Sequence, residues 1–381
     1  MCSRFSRLSR SVVLTVICAL ASFAVAQSAP PSIHKSPTPP ALTPLTLAIG
    51  GRLQTKPTDT RTFGGKNYIY QWPGTYFRAA FAGSSVYLRI LQGDQILHIV
   101  VDDSPAALLT KPVPGVYEIE GLANTHHTIT VFVATESQAA PNTFGGLAIP
   151  KNETALPAPP RDRQIEFIGD SHTVGYGNLS PTHACTDAQV WSDTDNTQAF
   201  GPLTARHYIA DYQINAISGR GVVRNYNGGK ADTLPQAYPY VLFDKKQIYA
   251  DASWHPQVIV VALGTNDFST PLNAGERWKT KADLHADVEV TYLHFLQQLR
   301  AKNPAALLIV WATDMEQGEI ESEAKKVVDE MKQHGDQHIA FLPIDHLGFT
   351  ACNSHPSLAD EQTISRKLID VIESNQVWQT P

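Results

Sequence analysis

A chain of 381 residues exceeds what a single hydrophobic core usually organises, so two domains are expected. The formal net charge is −6 at pH 7, which argues against nucleic acid or an anionic membrane surface as a partner. A neutral partner fits this charge better.

Residues 1–26 have the composition of a secretory signal peptide. Three arginines are followed by an apolar run over residues 12–21 and by the small-residue site Ala24-Val25-Ala26. The run is too short to span a bilayer, and no later segment approaches the roughly 20 apolar residues that a transmembrane helix needs. Export to the periplasm or the medium is therefore expected.

Removal of residues 1–26 leaves two of the four cysteines, Cys185 and Cys352. Because an exported protein enters an oxidising compartment, the pair is expected to form a disulfide bridge. Two separate buried thiols are the alternative.

Residues 27–44 are rich in Pro and Ser and predict an extended, poorly ordered tether. Over residues 45–150, short alternating runs are separated by turn signals, which is typical of an antiparallel β-sandwich or jelly roll. The runs are GTYFRAAF, SSVYLRIL, QILHIVVDD, GVYEIEGL, HHTITVFVA and FGGLAIP. A second Pro-rich stretch, residues 151–161, predicts a linker to the next domain.

Residues 162–381 alternate between apolar strands and amphipathic helices. Strands are predicted at IEFIGD, YQINAIS, PQVIVVAL, AALLIVWA and HIAFLP. Helices are predicted over residues 283–301 and about 319–334, because each segment carries its apolar residues on one face. Such alternation predicts parallel strands joined by crossover helices, and hence a doubly wound α/β domain.

Three motifs follow successive strands of this domain: Gly169-Asp170-Ser171, Ile217-Ser218-Gly219, and Gly264-Thr265-Asn266-Asp267. Each has an ordinary structural interpretation, since Ser and Asn commonly cap helices and Gly commonly forms turns. In an open parallel sheet, however, active residues collect at the carboxyl ends of the strands. The combination at successive strand ends therefore points to a catalytic site.

In these motifs the chain resembles the SGNH or GDSL hydrolases, whose four blocks supply a Ser, a Gly, an Asn and a His. The blocks correspond here to Ser171, Gly219, Asn266 and His355, in the order of the family. The resemblance implies that Ser171 is the nucleophile and His355 its base. It also implies an oxyanion hole made by the backbone N–H groups of Ser171 and Gly219 and the side-chain amide of Asn266.

The carboxylate that usually orients the histidine in this family lies three residues before it, where this chain has Cys352. The resemblance allows a main-chain carbonyl to act instead, and the more distant Asp345 is a second candidate. The catalytic unit is therefore expected to be a Ser/His dyad.

The β-sandwich ahead of the hydrolase domain narrows the resemblance to carbohydrate esterase family 2, which joins a jelly roll to an SGNH domain. The strings GDSHTVGYGN, ISGRGVVRN, LGTNDF and VFVATES are also similar to that family. The resemblance implies hydrolysis of O-acetyl groups from a carbohydrate such as acetylated xylan or glucomannan.

Two alternatives remain open: an SGNH esterase or lipase that acts on a non-carbohydrate acyl ester, and a catalytically silent glycan-binding protein. The sequence has no HExxH or Cys-His spacing, so no metal or other cofactor is expected.

Aromatic residues that could stack on sugar rings are Tyr176, Trp191, Trp254 and Trp278, although the position of Trp254 before a strand favours a packing role.

Overall fold

The computed structural model describes residues 31–59, 61–102 and 104–378. The predicted signal peptide lies outside these residues. The first half of the described chain is made of strands: β1 (Ser32–Lys35), β2 (Leu42–Pro44), β3 (Ala48–Gly50), β4 (Leu53–Pro57), β5 (Lys66–Tyr70), β6 (Tyr76–Gly83), β7 (Val86–Ile90), β8 (Ile96–Val101), β9 (Ala107–Thr110), β10 (Gly115–Glu120), β11 (Thr125–Val133), β12 (Asn142–Pro150) and β13 (Thr154–Leu156).

These strands form two antiparallel sheets around one apolar core. The first sheet has the order β1-β10-β7-β12-β5-β4, with β2 also paired to β12, and the second has the order β13-β6-β11-β8-β9, with β3 also paired to β6. Side chains from both sheets meet in the core, among them Phe81 and Val131 from one and Leu88 and Phe144 from the other. The predicted antiparallel organisation of this domain is confirmed.

The structure differs from the sequence-based prediction in the two Pro-rich segments. Strand β1 pairs with β10 and β2 pairs with β12, so the expectation of a poorly ordered tether is wrong for residues 31–44. Strand β13, inside the expected linker, pairs with β6. An added strand at a sheet edge needs backbone N–H and C=O groups more than apolar side chains, and composition does not report these.

The second domain contains five further strands, β14 (Gln164–Gly169), β15 (Asp211–Ala216), β16 (Val258–Ala262), β17 (Leu307–Thr313) and β18 (Ile339–Ile344). Its helices are α1 (Ser171–Val174), α2 (Asp187–Asp193), α3 (Phe200–His207), α4 (Leu234–Ala237), α5 (Thr265–Phe268), α6 (Lys281–Lys302), α7 (Glu319–Gln333) and α8 (Leu358–Ser374). The five strands are parallel and have the order β15-β14-β16-β17-β18.

Helices cover both faces of the parallel sheet, as predicted. Because side chains alternate along a strand, Val261 and Val310 pack with α6 and α7, whereas Val260 and Ile309 pack with α3 and α8. The apolar faces predicted for α6 and α7 are buried. Among the residues that the structure describes, no helix is both long and apolar enough to cross a membrane.

A buried ion pair joins the two domains. Nη2 of Arg52, which lies between β3 and β4, donates to Oε1 of Glu166 on β14 over 3.1 Å, and the two side chains are 1% and 2% exposed. The same carboxylate accepts from Nδ2 of Asn215 at 2.6 Å and from the hydroxyl of Tyr238 at 2.8 Å. The network ties the first domain to the sheet that carries Ser171.

Arg52→Met is expected to destabilise the protein by about 3–5 kcal/mol, because it leaves a buried carboxylate without its cation. The matched control is Lys246→Met, which breaks the surface pair Lys246–Asp244, with side chains 80% and 41% exposed, and should cost no more than about 1 kcal/mol. Urea denaturation measures both. Equal losses in the two variants would refute a structural role for the buried pair.

Candidate active site

Ser171 stands at the carboxyl end of β14, where the order of the parallel sheet reverses. Asp170 caps α1 by accepting the His172 N–H at 3.1 Å. A Cβ atom at Gly169 would lie 2.0 Å from the Thr173 hydroxyl oxygen and 2.9 Å from the Ala262 carbonyl oxygen. Glycine is therefore required for the tight turn that presents Ser171 at the sheet edge.

The structure brings His355 to Ser171, although the two are 184 residues apart in the chain. Nε2 of His355 lies 2.8 Å from Oγ of Ser171. Nδ1 of the same ring lies 2.9 Å from the carbonyl oxygen of Cys352 and 3.2 Å from that of Asn353. Because a carbonyl oxygen only accepts, Nδ1 carries the proton and Nε2 faces Ser171 as an acceptor.

Asp345 does not orient this histidine, so the suggestion of an acid at that position is wrong. It is exposed just beyond β18, where its charge adds to burial in raising the pKa of Glu321. The other possibility was a main-chain carbonyl from an unspecified residue, and in the structure the carbonyl of Cys352 occupies the far side of the ring.

Burial controls the protonation of the two histidines next to the nucleophile. It lowers the pKa of His355 to about 4, and the carbonyl groups of Cys352 and Asn353 counter this only in part. Burial and the neighbouring His355 lower the pKa of His172 to about 3. Both rings are therefore neutral near pH 7, and His355 is in the form that can accept a proton.

Candidate oxyanion donors surround Ser171. Within the described residues, the backbone N–H groups of Ser171 and Gly219 have no hydrogen-bond acceptor. The Asn266 side chain is placed beside them, with Nδ2 donating to Oδ2 of Asp170 at 3.0 Å and to the carbonyl oxygen of Arg220 at 2.9 Å. The three predicted donors thus lie at the same sheet edge, and two of them are open.

Two buried carboxylates hold the loops of this edge, and sequence reasoning gave neither a role. Asp267 accepts the backbone N–H groups of Val222, Val223 and Arg224 at 2.8, 2.9 and 2.8 Å, which fixes the loop beyond Gly219. Burial raises the pKa of Asp267 to about 6 and, together with the charge of Asp267, raises that of Asp170 to about 7. Both belong to the strand-end motifs, but a single sequence does not distinguish a carboxylate that holds a loop from an ordinary helix cap.

The predicted disulfide between Cys185 and Cys352 is confirmed, and it anchors the histidine loop. The backbone N–H of Asn353 also donates to the His183 carbonyl oxygen at 2.7 Å. In the part of the chain that the structure describes, one group of side chains has metal-ligand spacing, Cys185, Cys352 and Asp193, but its two sulfurs are bonded to each other.

The aromatic candidates occupy different environments. The Tyr176 ring lies 4.2 Å from the His355 ring, and its hydroxyl accepts from Nδ2 of Asn353 at 3.2 Å, so this residue borders the site. Trp254 is buried and donates to Glu166, as expected for a packing role. Trp278 donates to Asp287 at 2.9 Å.

The first domain also reaches the site, which sequence reasoning missed. Oε1 of Glu136, just beyond β11, accepts the Ser218 N–H over 2.8 Å, and Nε2 of Gln138 donates to the Ser218 carbonyl oxygen over 3.0 Å. Glu136 lies in the string VFVATES, which carried the family resemblance but suggested no role.

The chain is similar to known carbohydrate esterases. Residues 49–159 match the family model described as carbohydrate esterase 2 N-terminal, and residues 167–364 match the GDSL-like lipase/acylhydrolase family. The chain is 42% identical over 337 residues to an acetylxylan esterase / glucomannan deacetylase of Cellvibrio japonicus, covering 88% of this chain and 93% of that protein.

Solved structures give the same picture. One is a carbohydrate esterase whose active site displays divergent catalytic and non-catalytic binding functions. It superposes with a TM-score of 0.84 at 40% sequence identity, and the match covers 88% of this chain and 100% of that one. A family two carbohydrate esterase from Clostridium thermocellum, in complex with cellohexaose, has a TM-score of 0.75 at 24% identity, again over 88% of this chain and 100% of that one, and supports the fold.

His355 is expected to titrate near pH 4, below the ordinary histidine value of 6.5, because burial disfavours its imidazolium form. The neutral ring is then present above this pH, and the base is lost as the pH falls through it. NMR titration with histidine-selective ¹³C labelling gives the value, the signal being assigned by its loss in His355→Asn. A titration midpoint at or above pH 6.5 would show that burial does not lower the pKa of His355.

Proposed function

The chain belongs to the GDSL-like acylhydrolases and, within them, to the two-domain carbohydrate esterases of family 2, and we propose that it removes O-acetyl groups from a carbohydrate through Ser171 and His355. It is accordingly a carboxylic ester hydrolase. The observation that carries the assignment of residues is the contact of 2.8 Å between Ser171 Oγ and His355 Nε2.

In the first step the Ser171 hydroxyl attacks the acetyl carbonyl carbon and its proton passes to Nε2 of His355. The bond from Nδ1 to the Cys352 carbonyl keeps Nε2 directed at the serine, so the ring need not reorient during transfer. A carbonyl stabilises the imidazolium less than a carboxylate does, so it offsets only part of the effect of burial on the pKa of His355.

The tetrahedral oxyanion that forms is bound by the N–H groups of Ser171 and Gly219, which are already open. Asn266 joins them by exchanging its bond to the Arg220 carbonyl for one to the developing anion, because a charged oxygen is the stronger acceptor. The two backbone N–H groups are preset, so they stabilise the transition state without reorganisation as the charge forms, whereas Asn266 must first release Arg220.

Collapse of this intermediate expels the sugar oxygen, which takes the proton from Nε2 of His355. The product is a free sugar hydroxyl and an acetyl ester on Ser171. Water, deprotonated by the same nitrogen, then releases acetate and restores the serine.

A neutral acetylated glycan fits the protein best. The net charge of −6 disfavours polyanionic partners, and the relative at 42% identity is named for acetylxylan and glucomannan. A lipid ester and a role in glycan binding without catalysis are the two other outcomes that the experiment below distinguishes.

We further propose export. Residues 1–26 have signal-peptide features, and structural disulfides are common in oxidising compartments but rare in the cytosol. N-terminal sequencing of the protein recovered from periplasm or medium should start near residue 27. Recovery only from the cytosol, with residue 1 retained, would overturn the proposal.

The wild-type protein is expected to release acetate from 4-nitrophenyl acetate and from acetylated xylan or glucomannan, and to hydrolyse a long-chain 4-nitrophenyl ester far more slowly. Ser171→Ala should lose this activity while keeping the thermal midpoint of unfolding. Asn266→Ala should lower kcat by about 10² to 10³, as the loss of one oxyanion donor does. The readouts are acetate quantification and stopped-time assays of nitrophenol.

Activity confined to the long-chain ester would point instead to a lipase. Binding of the acetylated glycans by a wild-type protein that hydrolyses none of these esters would point to the silent glycan-binding role. Full activity in Ser171→Ala would reject the assigned nucleophile.

A further inference from the structure

The peptide group between Ser218 and Gly219 is held from the other domain. Its carbonyl oxygen accepts from Nε2 of Gln138 over 3.0 Å, and its other end, the Gly219 N–H, has no acceptor within the described residues. Since a trans peptide is planar, its C=O and N–H point in opposite directions. A bond that fixes the Ser218 carbonyl therefore fixes the direction of the Gly219 N–H.

The same peptide lies in a turn that has two alternative forms. The Arg220 N–H donates to the Ile217 carbonyl oxygen at 3.2 Å, and Gly219 has φ of +81°, the value of the third residue of a type II turn. Types I and II differ mainly by rotation of the central peptide, here Ser218–Gly219, and glycine tolerates both. Rotation would turn the Gly219 N–H away from the position it now has.

Glu136 adds a second bond to this turn. Its Oε1 accepts the Ser218 N–H over 2.8 Å and the Gln138 amide over 3.2 Å, so the two side chains support each other. Burial raises the pKa of Glu136, while the Ser218 N–H, the Gln138 amide and the charge of Arg220 act to lower it. An uncharged carboxyl still has a carbonyl oxygen that accepts, so the contact does not depend on ionisation.

We propose that Glu136 and Gln138, contributed by the N-terminal domain, are positioning residues that hold the Ser218–Gly219 peptide with its N–H directed into the oxyanion hole. The inference rests on the proposed function, in which the Gly219 N–H binds the oxyanion. The N-terminal domain then contributes directly to the esterase site. Without its two side chains, the Ser218–Gly219 peptide would be free to rotate between the two turn types.

The consequence is a loss of kcat with little change in KM, because the contact acts on the transition state more than on bound substrate. Gln138→Met, which keeps the length of the side chain and removes the donor, should lower kcat on 4-nitrophenyl acetate by about 10- to 100-fold. Glu136→Ala should lower it in the same direction. Glu136→Gln keeps an accepting oxygen and should retain most of the activity.

The control is Glu153→Ala, which removes a carboxylate that accepts the Ser84 N–H at 2.8 Å in the same domain. This contact lies at the opposite end of β11 from Glu136. Ser84 follows Gly83, which pairs with Thr125 at the start of β11, whereas Glu136 lies just beyond the end of that strand. This variant should keep the wild-type kcat. Thermal unfolding of every variant establishes that each is folded.

Wild-type kcat in both Gln138→Met and Glu136→Ala would overturn the proposal. So would equal losses in Glu136→Ala and Glu136→Gln, since these would show that the charge acts and the hydrogen bond does not. Failure of the proposed function has a different signature: the wild-type protein would not hydrolyse the acetyl ester, or Ser171→Ala would hydrolyse it equally well.

Discussion

The hydrogen bond from Nδ1 of His355 to the Cys352 carbonyl oxygen is the constraint on which the chemistry of this protein depends. It sets the tautomer, directs Nε2 at Ser171 over 2.8 Å, and supplies no negative charge. Without a carboxylate partner, burial dominates and lowers the pKa of His355 to about 4. Burial thus keeps the base neutral, and a backbone carbonyl orients it.

A carbonyl can do this only if its loop is rigid, and several features make it so. The disulfide from Cys352 to Cys185 ties the loop to the segment that follows the nucleophile, and the Asn353 N–H is bound by the His183 carbonyl. Asn353 and Ser354 have φ of +52° and +59°, a conformation that such residues adopt only when their surroundings impose it. Covalent and backbone anchoring replaces the orienting acid.

The β-domain is integrated with the hydrolase domain rather than tethered to it. Trp72 of the first domain is buried in the apolar core of the second, and Arg52 neutralises Glu166 on the strand that leads to Ser171. Glu136 and Gln138 contact Ser218 at the carboxyl edge of the parallel sheet. Contacts between the two domains therefore extend from the interior of this sheet to the edge that carries Ser171. Separation of the domains would expose a buried carboxylate and release that turn.

Sequence patterns predicted the elements that depend on local periodicity. The five apolar strands and the buried faces of α6 and α7 followed from hydrophobic runs. The pairing of Ser171 with His355 was implied by the family resemblance, and the two side chains lie 2.8 Å apart. The disulfide followed from having only two cysteines beyond residue 26. Strand β1 and the contact of Glu136 with Ser218 could not be predicted, because they arise from backbone groups and long-range contacts that side-chain identity does not encode. A main-chain carbonyl was expected as one possible partner of His355, but the sequence did not say which residue supplies it.

Labelling with a fluorophosphonate, which reacts with serines activated by a base, tests directly whether a backbone carbonyl suffices to orient that base. Peptide mapping should place the label on Ser171 in the wild-type protein, and Asp345→Asn should react at the wild-type rate. His355→Ala should react slower by at least about 10². Loss of labelling in Asp345→Asn to the level of His355→Ala would contradict a dyad oriented by the Cys352 carbonyl.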